Sequence, residues 1–240
     1  MNLFIYVEGQ EEELFVNRVL RNHLRMFGIA VKKPILAATS FSRIDQAASD
    51  VEGLQKSASV SVTVGGVTNY ASICADIRAH FDDQRIQSGD VLTTLIDLYA
   101  LPRMFPGCQE AMRDGLRAAA KASKIEAAWK ADIGRPNFFP YIQVHEFEAL
   151  VLARPELLAD YYPEHSAKIE TLCAECAAFC SPEEINETKE SSPSHRIKTH
   201  VPSYVKEDGF RFLEAIGIEQ LKAICPRFKE WIEHCEQFFR

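Results

Sequence analysis

Acidic residues close three short apolar runs in this chain. Glu8 follows Leu3–Val7, Asp97 follows Val91–Ile96, and Glu146 and Glu148 follow Phe138–Val144. If the runs are parallel strands, their C-terminal ends share one edge of a sheet, where open α/β folds place their ligands. Carboxylates gathered there repel one another and call for a cation. Hard oxygen donors select Mg²⁺ or Mn²⁺. Such an ion next to a phosphate group points to phosphoryl-transfer or phosphodiester chemistry.

Each acid also has a structural reading. Glu8 could favour the N-terminus of a following helix through its dipole, and Asp97 could cap a turn before Pro102. Glu12 falls four residues after Glu8 and so belongs to the first helical turn near the same edge, whereas Glu11 and Glu13 are expected to face solvent. Glu146 and Glu148 would share a face on a strand but diverge by about 200° on a helix, where only one could be a primary ligand. His145 reads as a ligand, a proton shuttle or a hydrogen-bonded core histidine.

The positioning elements are legible from periodicity. Leu3–Val7 is a strand. Gln10 to Phe27 is a helix with Leu14, Phe15, Val19, Leu20 and Leu24 at helical spacing, stopped by Gly28. Ile29–Ala37 reads as a strand that Pro34 confines to an edge. Phe41–Leu54 is weakly helical, and Ser57–Val64 is a half-buried strand closed by Gly65-Gly66. A helix over Tyr70–Phe81 leads through a Gly89-Asp90 turn to Val91–Ile96, the cleanest buried strand. Ala111–Lys130 is helical and Phe138–Val144 is another strand, followed by a helix to Leu152. After Pro155 only short helices follow: Glu156–Tyr161, His165–Phe179, Pro182–Asn186, and pieces of Gly209–Phe239. The expected fold is α/β, a mostly parallel central sheet flanked by helices, over residues 1–152. Residues 153–240 form a helical extension packed on that core.

At 240 residues and a net charge of −7, the chain is not a nucleic-acid coat held by bulk charge. A nuclease remains compatible, because metal-binding acids themselves contribute to the total. Basic residues gather on Arg18, Arg21 and Arg25 and again on Arg196, Lys198 and Lys206. Ser194, Arg196 and Lys206 lie in a polar stretch that should fold back toward Glu8 to meet phosphate. No apolar run reaches the ~18 residues of a membrane span, and nothing resembles a signal peptide. The odd number of scattered cysteines reads as reduced thiols in a cytoplasmic protein. Cys173, Cys176 and Cys180 lack a second ligand pair and read as core rather than zinc. Trp129 and Trp231 read as core anchors. No phosphate-loop, dinucleotide or Gly-x-Ser-x-Gly signature is present.

Several strings resemble a bacterial family catalogued as domain of unknown function 4276. They are Val7-Glu8-Gly9-Gln10-Glu11-Glu12, Gly65-Gly66 with Tyr70, Thr94 through Pro102 (Thr-Leu-Ile-Asp-Leu-Tyr-Ala-Leu-Pro), and Pro140 through Leu150 containing His145-Glu146-Phe147-Glu148. Pro193-Ser194 with Arg196, Tyr204 with Lys206, and Cys225-Pro226 with Phe228 and Trp231 complete a match that runs nearly end to end. The resemblance implies a distant similarity to Toprim domains of the overcoming-lysogenization-defect nucleases. On that basis Glu8 and Glu12 match the paired glutamates, and Asp97 matches the first aspartate of an Asp-x-Asp motif. Glu146 or Glu148 is the later acid and Lys206 the basic residue. Tyr99 stands where the second aspartate would be.

Taken together, the strand-end acids and the resemblance lead to the expectation of Mg²⁺ or Mn²⁺ held by Glu8, Asp97, Glu146 and Glu148, with Glu12 and Lys206 as further catalytic groups. Ser194, Arg196, Lys206 and His145 would bind substrate, DNA or else RNA. The resemblance also implies an ATPase partner of the overcoming-lysogenization-defect or structural-maintenance type and a role in phage defence; no membrane is expected from the apolar runs, and self-association is left open. A non-catalytic ATPase partner with a degenerate metal site is the competing expectation, and a small-molecule phosphotransfer enzyme is a third.

Overall fold

The computed structural model describes residues 2–37, 70–185 and 191–237. The expected elements at Phe41–Leu54 and Ser57–Val64, and Gly65-Gly66, lie outside these residues. Strand β1 (Asn2–Val7) leads into helix α1 (Gln10–Phe15), which passes through a π-helical turn (Val16–Leu20) into α2 (Arg21–Arg25). Gly28, at φ +76°, stops it. Beyond it the single expected strand is two short ones, β2 (Ala30–Val31) and β3 (Ile35–Leu36), interrupted beside Pro34, which can offer no N–H to a ladder.

Helix α3 (Tyr70–Asp82) precedes β4 (Val91–Asp97). The expected helix over Ala111–Lys130 is also two, α4 (Cys108–Arg113) and α5 (Ala118–Ile133), because Gly115 between them takes a left-handed φ of +61°. The next strand is again paired in two pieces, β5 (Phe138–Phe139) and β6 (Ile142–Gln143), with Pro140 between them. Helices α6 (Glu148–Val151), α7 (Leu158–Tyr161), α8 (Ser166–Cys176), α9 (Pro193–His200), α10 (Gly209–Ile216), α11 (Ile218–Ile224) and α12 (Pro226–Gln237) complete the described chain. Helix α9 falls where the sequence suggests only a polar connection. No helix among the described residues is long and apolar enough to cross a membrane.

Every strand pair is parallel, and the sheet order is β2-β1-β4-β5, with β3 also on β1 and β6 also on β4. The chain therefore winds outward from β1 in one direction and from β4 in the other. Winding both ways with crossovers of one hand puts helices on both faces. On one face Tyr6, Leu92 and Ile96 pack with Ile73 and Ile77 of α3 and Ile125 and Trp129 of α5. On the other, Leu3, Ile5, Val7 and Leu95 pack with Phe15 and Leu20 and with Phe212, Phe228 and Trp231. The helical last third thus covers the sheet face that α1 and α2 leave open.

Buried polar groups lock these layers. Trp231 donates its indole N–H to Thr93 Oγ1 at 2.9 Å and stacks on Tyr141 at 4.5 Å. Thr94 mends the break between β5 and β6: its hydroxyl donates to the Tyr141 carbonyl at 2.7 Å and accepts the Tyr141 N–H at 2.9 Å. Glu126 of α5 accepts the Ile142 N–H at 2.7 Å and so caps the outer edge of β6.

Thr94→Val keeps the shape but strands both buried backbone groups of Tyr141. It should lower stability by about 1–3 kcal/mol, read as a lower urea midpoint at unchanged slope.

Candidate metal and phosphate site at the sheet edge

The register of the two central strands fixes the first two acids. Val7 pairs with Leu95, the Glu8 N–H reaches the Leu95 carbonyl at 3.3 Å, and Glu8 Oε2 accepts the Asp97 N–H at 3.2 Å. This is the point where the sheet reverses its winding. Asp97 also pairs in register with Gln143 of β6, so the segment beginning at His145 emerges at the same edge.

His145 takes a left-handed backbone conformation, φ +65°. That reversal holds Glu146 outside helix α6 while Glu148 opens it. The two glutamates therefore meet, and neither the strand nor the helix alternative describes them. Lys206 Nζ lies 2.8 Å from Glu148 Oε1 and 3.9 Å from Glu146 Oε2. Glu146 Oε1 accepts the Ser194 N–H at 2.5 Å, in the first turn of α9, where the helix dipole favours a carboxylate. Glu12 folds back so that its Oε2 accepts the Gly9 N–H at 2.9 Å. A Cβ on residue 9 would sit 3.2 Å from that oxygen.

The structure thus brings Glu8, Glu12, Asp97, Glu146, Glu148, Lys206 and the Ser194 backbone together. Arg196 is not brought to them. Its guanidinium pairs with Glu175 at 3.1 Å, donates to the Ser191 carbonyl at 3.0 Å and lies over Phe179, on a different side of α9. Glu11 corrects the opposite way: instead of facing solvent it turns toward α10, where a Cβ at Gly209 would fall on its Oε1. Helical position alone could not reveal this, because the enclosing wall comes from residues about 200 positions away. Tyr204 is the second group beyond the expected set, a buried hydroxyl in the field of Glu11 and Glu148. His145 is buried and bonded to the Glu183 backbone, and burial pushes its pKa down to about 4, so it is neutral. That fits a positioning role better than a phosphate contact.

The electrostatics are one-sided. Burial first, and then Glu12, push the Glu8 carboxyl up to about 8, against the opposing pull of the Asp97 N–H and Lys206. Burial and the repulsion of Glu8, Glu12, Glu148 and Glu146 raise Asp97 well above the carboxylate range. Glu11, Glu12 and Glu148 are raised as well, by burial in each case. Burial would lower Lys206, but Glu148 and Glu146 outweigh it and hold the ammonium charged. Among the described residues one ammonium thus faces several carboxylates.

Asp97 Oδ1, Glu11 Oε1 and the Tyr204 hydroxyl are buried without hydrogen-bond partners among the described residues. Of these, Asp97 Oδ1 belongs to the acid set at the strand edge, and a buried carboxylate oxygen with no donor is a group a hard divalent cation would satisfy. The acids are not drawn into a closed cage: among the described residues the one trio whose ligand atoms all lie within 4.8 Å is His23, Glu219 and Glu236. There Lys222 Nζ already approaches Glu236 at 2.8 Å. Cys173, Cys176 and Cys180 are free, and the first two pack against the apolar core.

A family model described as domain of unknown function (DUF4276) matches residues 7–236. The chain belongs to the DUF4276 family. The matched span contains every acid of the site from Glu8 to Glu148, as well as Lys206. No curated protein and no solved structure matches the chain.

A carboxyl with a raised folded-state pKa keeps a proton that the unfolded chain has lost. Its stabilising share is complete below the ordinary value of 4.5 and is lost as pH rises through about 8 for Glu8. Metal-free protein should therefore melt at a lower temperature at pH 8 than at pH 5.5. Mn²⁺ or Mg²⁺ should raise the melting temperature more at pH 8. Asp97→Asn should raise metal-free stability at pH 8 and abolish most of the metal-induced shift, both read by calorimetry.

Proposed function

We propose that this DUF4276 chain is a divalent-metal-dependent phosphodiesterase acting on nucleic acid. The observation that carries the reading is the excess of buried carboxylate at the point of sheet reversal, including the unpartnered Oδ1 of Asp97. Glu8, Asp97, Glu146 and Glu148 would hold Mg²⁺ or Mn²⁺. The bound ion would supply a Lewis acid for the phosphate and lower the pKa of a coordinated water.

The chain's own groups have separable tasks. Glu12, tied to Gly9, shapes the field around Glu8 and Asp97. Lys206 is the ammonium that the described residues bring to the edge, and it would bind a phosphate oxygen once cation charge relieves its hold on Glu148. The first turn of α9 orients Glu146 through the Ser194 N–H. Arg196, paired with Glu175 at 3.1 Å, is assigned no task in this reading. DNA is the substrate favoured by the resemblance to Toprim nucleases, with RNA the other candidate. An ATPase partner, action against phage and a cytoplasmic location rest on that resemblance too.

A second reading, a non-catalytic subunit of an ATPase complex, is favoured by two particulars. Tyr99 stands where the related nucleases carry a second aspartate, and Lys206 already neutralises part of the acid edge.

Purified protein, alone and with an ATPase of the overcoming-lysogenization-defect or structural-maintenance type, should cut or nick DNA in Mg²⁺ or Mn²⁺, and EDTA should stop it. Glu8→Gln and Asp97→Asn should each reduce the rate by about 10²-fold or more while the fold persists. Cleavage that survives EDTA refutes the metal reading. Absence of cleavage with both metals and the partner present favours the accessory-subunit reading.

A further inference from the structure

Besides the buried Tyr204, the acid edge carries an exposed aromatic ring, Tyr99, that phosphodiester chemistry does not use. Tyr99 begins two residues beyond Asp97, in a 3₁₀ turn (Leu98–Ala100). The residue is 49 % exposed. Single exposed aromatics are common and need no explanation on their own. This one is held from behind. Its backbone N–H donates to the His145 carbonyl at 3.1 Å, and its ring lies 5.5 Å from the His145 ring at 40°. His145 is itself buried and held in a left-handed conformation. One face of Tyr99 is thus anchored while much of the residue is open to solvent, and it lies within the field of Glu146.

We propose that Tyr99 is a stacking platform for an unpaired nucleobase next to the phosphate held at the acid edge, which makes single-stranded or frayed nucleic acid the preferred substrate. The inference rests on the phosphodiesterase reading of the same edge and names its substrate class. A base inside a duplex is already stacked on both sides and must be unpaired before it can lie on a protein ring. A base in a single strand offers a free face, and an exposed aromatic captures it without regard to sequence. Charge leads to the same place. The chain carries a net charge of −7, and among the described residues Arg196 is committed to Glu175, which limits what counterion release can contribute there. Stacking, which salt weakens little, must supply more of the binding.

The test is equilibrium binding of fluorescent 12-nucleotide DNA and RNA single strands and of a blunt DNA duplex to the full chain in Ca²⁺, followed by cleavage kinetics in Mn²⁺. The single strand should bind more tightly than the duplex, with a shallow salt dependence. Tyr99→Ala should weaken single-strand binding about tenfold or more and raise KM with little change in kcat, whereas Tyr99→Phe should stay close to wild type. A strand with an abasic nucleotide at the stacked position should bind wild type and Tyr99→Ala alike, because the cycle isolates ring from base. Thermal melts establish that each variant is folded.

Single-strand binding and KM unchanged in Tyr99→Ala, while the wild type still cleaves, overturns the platform and leaves the phosphodiesterase reading standing. Tyr99-dependent, base-dependent binding without cleavage in any metal supports the platform and removes the nuclease. A preference for duplex, or weakening by Tyr99→Ala that persists on abasic strands, overturns the platform.

Discussion

Like-charge repulsion among buried carboxylates is the constraint around which this molecule is arranged. Parallel pairing of β1 with β4 sets Glu8 beside Asp97, and pairing of β4 with β6 delivers Glu146 and Glu148 to the same place. None of these positions is set by the acids' own preference. The apolar strands impose them, because Leu3, Ile5, Val7, Leu92, Leu95 and Ile96 are buried against helices on the two faces. Hydrophobic burial of roughly 25 cal/mol per Å² over such a sheet outweighs the electrostatic strain at its edge. A fold built for stability alone would have no use for that strain, and the acids retain it at the crevice where open sheets bind ligands.

The helical last third makes the strain tolerable. Lys206 supplies the ammonium, the first turn of α9 supplies the Ser194 N–H, and the start of α10 encloses Glu11. These elements reach the site because α10 and α12 are part of the same apolar core as β1, tied down by Trp231 on Thr93 and by Glu183, which accepts the Arg227 and Phe228 N–H groups at the start of α12. The apolar core and the charge balance of the site therefore depend on the same helices.

The legible parts of the sequence were those governed by local pattern. β1 and β4 are short apolar runs ending in acids, and parallel topology follows from their alternation with helices such as α3 and α5. Interrupted elements were less legible: Pro34 and Pro140 cost each strand a ladder donor, and Gly115 divides a helix that periodicity alone joins. Partners distant in sequence were not legible at all. Glu11 faces inward only because Gly209 lies against it, and Arg196 faces away from the acids because Glu175 competes for it. The meeting of Glu146 and Glu148 depends on the left-handed backbone of His145, a conformation that residue type does not announce.

The central claim is that the strand-edge carboxylates form a divalent-cation site. Anomalous diffraction from crystals soaked in Mn²⁺ tests it most directly. The account predicts a peak within coordination distance of Asp97 and Glu8, ~2.2 Å for a hard cation on oxygen, with Lys206 displaced from Glu148. Full occupancy only at His23, Glu219 and Glu236, or no ordered ion while Lys206 keeps its contact with Glu148, would contradict it.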